Sequence, residues 1–280
     1  MVNIIVTCRP IPTILSEFKL STHLKIRASR TDIQKYLEAH MGRFSKRIMA
    51  ENNLQTNIIA GILDAGKGMF LLARLNLDSL VGKTNPKAIK RVLENLPTGS
   101  DALDSAYKDV MDRIESQSPN RCNLAKKVLT WITYAKELLS IEELEQAVAI
   151  EIGQSDLDQD NVCDYEDIVS VCAGFVIADF NNVRLGGFLR LAHYTTQEYL
   201  VRNGMEYFPE AQQIMASNCL TYLLYDAFSE TLCNSPRNHA YPWERLCTVK
   251  KDVCNLNVVQ RHLFYRYAAW HWGYHSAKCR

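Results

Sequence analysis

Apolar positions recur with a helical period along most of this chain. The clearest case is Leu103, Ala106, Tyr107, Val110, Met111 and Ile114, spaced i, i+3, i+4, i+7, i+8 and i+11. That spacing predicts an amphipathic helix, opened by Ser100 or Asp101. Upstream, Ser29-Arg30-Thr31-Asp32 is a capping box that opens a helix to about Met41. A further helix is predicted from about Lys46 to Asp64, on Ile48, Leu54, Ile58, Ile59 and Ile62. Gly66-Lys67-Gly68 breaks it, and Met69 to Leu80 restarts as a strongly apolar helix. Asn85-Pro86 supplies an N-cap and an N1 proline for the next, which ends at Leu96-Pro97.

Downstream of Pro119, Leu124, Val128, Trp131, Ile132 and Ala135 form another helical face. Ser140-x-x-Glu143 is a second capping box, followed by an acidic loop and a helix near Tyr165 to Cys172. The period then changes. Gly174 to Ala178 reads as a strand and Asn181-Asn182 as a turn. Val183 to Leu185 reads as the returning strand, Gly186-Gly187 as a bulge or second turn, and Phe188 to Ala192 as the ribbon's continuation. Tyr194 to Val201 returns to helix, Phe208-Pro209 starts one, and Arg261 to His275 is an aromatic-rich one. Several helices, a hairpin and a helix over residues 101–202 read as a winged-helix arrangement.

The chain also opens on Asn3-Ile4-Ile5-Val6-Thr7-Cys8-Arg9-Pro10, an apolar run suited to a strand covered on both faces. Such a parallel strand needs partners, and none precedes it, so the start is expected to be the end of a domain whose earlier part is missing. A second short strand is read at Leu24 to Arg27. The expected fold is mainly α with a small β component. Its parts are a remnant of a parallel α/β NTPase core at 1–28, a helical domain at 29–100, the winged helix at 101–202 and a helical connector at 203–280.

At 280 residues, 47% hydrophobic and net charge +1, the chain can bury a sizeable core and carries no global field that selects nucleic acid or membrane. The charge is uneven. Between Glu137 and Asp167 there are acids but no Lys or Arg, whereas the tail from Arg237 onward is basic. Nine cysteines are scattered without a C-x-x-C pair, several inside apolar runs, which suits reduced thiols and predicts a cytoplasmic protein. No apolar run approaches the roughly 18 residues of a membrane span.

Several strings of residues bear on possible chemistry. Gly61 to Gly68 is one residue from a phosphate-binding P-loop, with Gly68 where a magnesium-ligating hydroxyl belongs. It lies in a helical pattern rather than after a strand, so the reading is a helix break. A nucleotide hydrolase with a degenerate loop there is the enzyme alternative. His271, His275 and Cys279 share a helical face, and Asp156, Asp158 and Asp160 alternate, yet neither set completes a metal site, and none is expected. No G-x-S-x-G nucleophile string occurs. A DNA-reading winged helix needs a basic recognition helix, and the helix before the hairpin carries Asp164, Glu166 and Asp167 instead. His193, at a strand end and followed by Thr195-Thr196 as the N-cap of a helix, is placed either to donate to an anion or to fasten hairpin to helix.

Taken in order, several strings resemble the fungal NACHT-type STAND NTPases, signalling proteins that often carry C-terminal ankyrin repeats. They are Val6-Thr7-Cys8-Arg9-Pro10, Leu24-Lys25-Ile26-Arg27-Ala28, Gly68 to Leu75, Leu96-Pro97-Thr98-Gly99, Val169 to Gly174 and His193 to Tyr199. The resemblance implies that Arg9 is a sensor arginine for the γ-phosphate and that His193 touches the β-phosphate of bound ADP. It also implies that Met69 lies near the adenine, where many relatives have proline. The P-loop and the acidic magnesium site lie upstream in such proteins and are absent from this chain. The implied role is a non-catalytic fragment of a STAND-type regulator, acting through protein–protein or interdomain association with protein partners or the missing NTPase half. No cofactor is expected for this chain alone; ATP or ADP belongs to the full-length family, as does oligomer formation. No nucleic acid or membrane partner is expected.

Overall fold

A computed structural model describes residues 18, 22, 28–51, 53–98, 101–180, 187–228 and 262–279. Within them the fold is mainly helical with one two-stranded antiparallel sheet. The expected strands at 3–8 and 24–27, the α/β remnant they imply, and Val183 to Leu185 all lie outside the described residues.

Five helices build the first unit: α1 (Arg30–His40), α2 (Lys46–Met49), α3 (Leu54–Gly66), α4 (Phe70–Val81) and α5 (Pro86–Glu94). The Ser29 box forms as read. The Ser29 hydroxyl accepts from the Asp32 N–H at 3.0 Å, and the Asp32 carboxylate accepts from Ser29. Asn85 likewise caps α5 by accepting from the Ala88 N–H at 2.9 Å. The single helix expected from Lys46 to Asp64 is two. Asn53 turns left-handed at φ 65°, a conformation asparagine tolerates, and splits it into α2 and α3. The apolar period runs across the break because Ile48, Leu54, Ile58 and Ile62 all reach the same core, with Ile33, Leu37, Leu77 and Ile89.

The second unit has α6 (Ala102–Glu115), α7 (Pro119–Tyr134), α8 (Ile141–Ala149), α9 (Tyr165–Val171), β1 (Val176–Asp179), β2 (Phe188–Leu191) and α10 (Tyr194–Arg202). Ser140 closes the second capping box with Glu143, 3.1 and 2.8 Å. All four residues of β1 pair with β2, Val176 with Leu191 through Asp179 with Phe188. The expected continuation of the ribbon at 188–192 is the strand that pairs with β1. A third strand is reduced to one bridge, Ser140 to Phe188. Gly187 sits at this junction with φ 95°, where a Cβ would fall 2.7 Å from the Phe180 ring, so only glycine fits.

Helix α4 belongs to both units. Leu72 and Leu75 enter the winged-helix core, while Ala73, Leu77 and Leu80 enter the helical one. A helix apolar on more than one side is buried between layers. Asp78 on its flank gathers the seam. Arg43 lies 2.7 Å from its carboxylate, Arg74 3.8 Å, and Arg113 donates to its carbonyl at 3.2 Å.

Among the described residues three more helices follow: α11 (Gly204–Tyr207), α12 (Ala211–Leu223) and α13 (Tyr265–Ala277). Helices α12 and α13 pack on each other, and their Tyr222, Phe264 and Tyr267 are continuous with the winged-helix core. Gln146 of α8 ties them in, its carbonyl accepting from the Tyr222 hydroxyl at 2.6 Å and the Phe264 N–H at 3.1 Å.

Candidate functional site

His193 is the N-cap of α10, in extended backbone, φ −152°. Its Nδ1 accepts from the Thr195 N–H at 3.2 Å and lies 2.7 Å from the Thr195 hydroxyl. A backbone N–H can only donate, so Nδ1 is the acceptor and the ring proton of the neutral imidazole is on Nε2. Tyr107, from the amphipathic face of α6, reaches the same Thr195 hydroxyl at 2.5 Å. The ring is thus locked in one tautomer by a capping interaction and a buried tyrosine. His193 thereby fastens β2 to α10.

His193 lines a half-open cleft of about 380 Å³. The end of α7 and the connection 135–139 form one wall, with Trp131, Lys136, Glu137 and Leu139. Strand β2 forms the other with Leu189, Arg190 and Leu191, and Tyr194 and Gln197 close one end. Its charges are mostly matched. Arg190 pairs with Asp179 at 2.8 Å, and Glu137 faces Arg266 and His271 at 3.5 Å each. The Lys136 ammonium instead sits over the Tyr274 ring, 4.2 Å from its centroid.

Of the other two expected site residues, the structure describes only Met69, and it is not brought to this cleft. Met69 is the N-cap of α4, 37% exposed, and is not among the cleft's lining residues. Arg9 lies outside the described residues. Gly61 to Gly66 are the last turns of α3, so the P-loop-like string is helix followed by a left-handed Lys67. Tyr107 and Lys136 were not singled out by sequence. Tyr107 reads as core in the α6 period, and its hydroxyl partner is 88 positions away. Nothing in the sequence around Lys136 distinguishes it from a surface lysine.

On α8 and α9 the acids stand together. Burial pushes the Glu145 carboxyl up, opposed by the Tyr165 backbone and reinforced by Glu142, Asp164 and Glu166. His275 is fully buried and spoken for: its Nδ1 lies 2.8 Å from the Gln212 carbonyl and its Nε2 2.9 Å from the Tyr267 hydroxyl. Among the described residues no cluster of three or more His, Cys, Asp or Glu could hold a metal ion, and no helix is long and apolar enough to cross a membrane.

Three helices, a β-ribbon and a closing helix, in the order α7, α8, α9, β1, β2, α10, define a winged-helix domain. Residues 111–208, about a third of the chain, match the family model described as GPI inositol-deacylase, winged helix domain. No curated protein matches the chain, and no solved structure does.

Proposed function

We propose that the chain is a non-catalytic part of a STAND-type signalling regulator, working through protein–protein or interdomain association in the cytoplasm. The STAND reading rests on the ordered strings quoted above, and the charge of the winged helix favours a protein partner over nucleic acid. Helix α9, which in DNA-reading relatives of this architecture would enter the groove, is capped by Asp164, opens on Glu166 and Asp167, and has no basic residue. A phosphate backbone repels such a face, whereas a basic protein surface does not. The matched family model names a deacylase, but the match falls on a winged helix and the sequence has no G-x-S-x-G string.

On this reading Arg9, His193 and Met69 are vestigial nucleotide-sensing positions. The ring proton on Nε2 is the donor that this role of His193 would use. Phosphoryl transfer would lack its main electrostatic elements, the loop lysine, the hydroxyl and the magnesium site. Phosphate release from ATP by the purified chain should therefore stay at background, and Lys67→Ala should leave it unchanged. Turnover that Lys67→Ala abolishes would favour the hydrolase reading instead.

A further inference from the structure

The outer face of α13 is aromatic, basic and open to solvent. Its inner face, with Tyr267, Ala268 and His275, is buried against α12 and Trp131 of α7. On the outside Trp270 is 55% exposed, Trp272 42% and Tyr274 38%. Single apolar residues on a surface are ordinary, but large aromatics grouped on one helix mark an interaction site. Arg266, Trp270, Tyr274 and Lys278 follow at steps of four, so they form one ridge about 18 Å long. The neighbouring row is Ala269, Gly273 and Ala277, and Trp272 stands on its far side. A Cβ added at Gly273 would meet nothing within 4 Å, so this row is an open groove. A groove of small residues between larger ridges accepts the ridge of a second helix, which is how an amphipathic helix docks.

Charge selects the helix. Residues 262–279 contain Arg266 and Lys278 and no Asp or Glu. The Lys136 and Lys278 ammoniums lie 4.2 and 6.0 Å from the centroid of the Tyr274 ring, which places further positive charge along the ridge. Glu137, beside Lys136, already faces Arg266 and His271 at 3.5 Å each. A second copy of α13 is a poor occupant. Antiparallel, it would set Arg266 against Lys278; parallel, it would set each cation against its own copy. An acidic helix meets these cations in either direction.

We infer that the outer face of α13 docks an acidic amphipathic helix of a partner protein. The partner's apolar ridge would lie in the Ala269–Gly273–Ala277 groove, with its carboxylates on Arg266, Lys136 and Lys278. The docking gives the association proposed above a surface and a partner chemistry, and it rests on that reading.

The probe is the capped peptide (Glu-Leu-Ala-Ala-Gln-Leu-Ala-Ala)2-Glu, carrying a fluorophore and titrated with the full chain. Its control has Lys in place of every Glu. Anisotropy should show the Glu peptide binding about tenfold tighter than the Lys peptide. Two variants locate the site. Trp270→Ser should weaken binding about tenfold. Gly273→Leu fills the groove with a side chain that the fold has room for and that favours helix. Its unfolding midpoint should therefore hold or rise while binding falls about tenfold. No binding of the Glu peptide, equal binding of the Lys peptide, or full binding by Gly273→Leu would each overturn the inference. So would binding of phosphatidylserine vesicles, or dimers, that Gly273→Leu abolishes, because the face would then belong to a lipid surface or a second copy. Such a failure would leave the association reading standing through another surface, whereas ATP turnover that Lys67→Ala abolishes would remove that reading without touching the peptide result.

Discussion

Trp131→Ala is expected to destabilise the folded chain by about 3–5 kcal/mol, the cost of deleting a large aromatic from a packed core. Trp131 is 1% exposed on the inner face of α7. Phe264, Tyr267 and His275 of the C-terminal segment meet it edge-on, with centroids 5.2, 5.7 and 6.2 Å away. Edge-to-face rings are worth something beyond their buried area. Truncation therefore removes one of the contacts that join α13 to the winged helix as well as leaving a cavity. Urea unfolding followed by circular dichroism would measure it. A loss under about 1 kcal/mol would mean that α13 does not pack on α7 as described.

Acid should weaken the same region through His275. Burial, reinforced by the charges of His271 and Lys136, pushes its imidazole down to about 4 from an ordinary 6.5. Between those values the unfolded chain binds the proton and the folded chain does not, so stability rises with pH. The contribution is complete above about pH 6.5 and is lost as pH falls toward 4, for an upper bound of about 3 kcal/mol. Comparing unfolding midpoints at pH 7 and 4.5 for the wild type and His275→Gln would show it. The variant should lose markedly less on acidification; equal losses would place the acid sensitivity elsewhere.

The features most legible in the sequence were those whose partners are close in the chain. The Ser29 and Ser140 capping boxes and the Asn85-Pro86 start form within three residues, and each is present in the fold. The amphipathic period of α6 identified its buried face correctly, since Ala106, Tyr107, Val110, Met111 and Ile114 are all buried. The α2–α3 break was hidden because periodicity records which residues face the core, not whether the backbone between them stays helical. In the ribbon, the sequence reads 188–192 as a continuation past a second turn, and only pairing shows that 188–191 lie directly against β1. The cleft was least legible. Its walls come from residues 131–144 and 189–197, which no local pattern brings together.

His193 shows both sides of this. The sequence places the N-cap at Thr195-Thr196 with His193 beside it, whereas His193 is itself the N-cap because its Nδ1 accepts from the Thr195 N–H. What fixes its tautomer is Thr195 together with Tyr107 from a helix far upstream, which local sequence could not supply. Likewise the double duty of α4 follows from the two layers it separates, although its uniformly apolar sequence already required cover on several sides.

The central claim, that this winged-helix chain associates with protein surfaces and does not work as a nucleotide machine on its own, is tested most directly by isothermal titration with ATP and ADP, with and without magnesium. The account expects no tight magnesium-dependent binding of either nucleotide. Micromolar affinity that magnesium strengthens would contradict it.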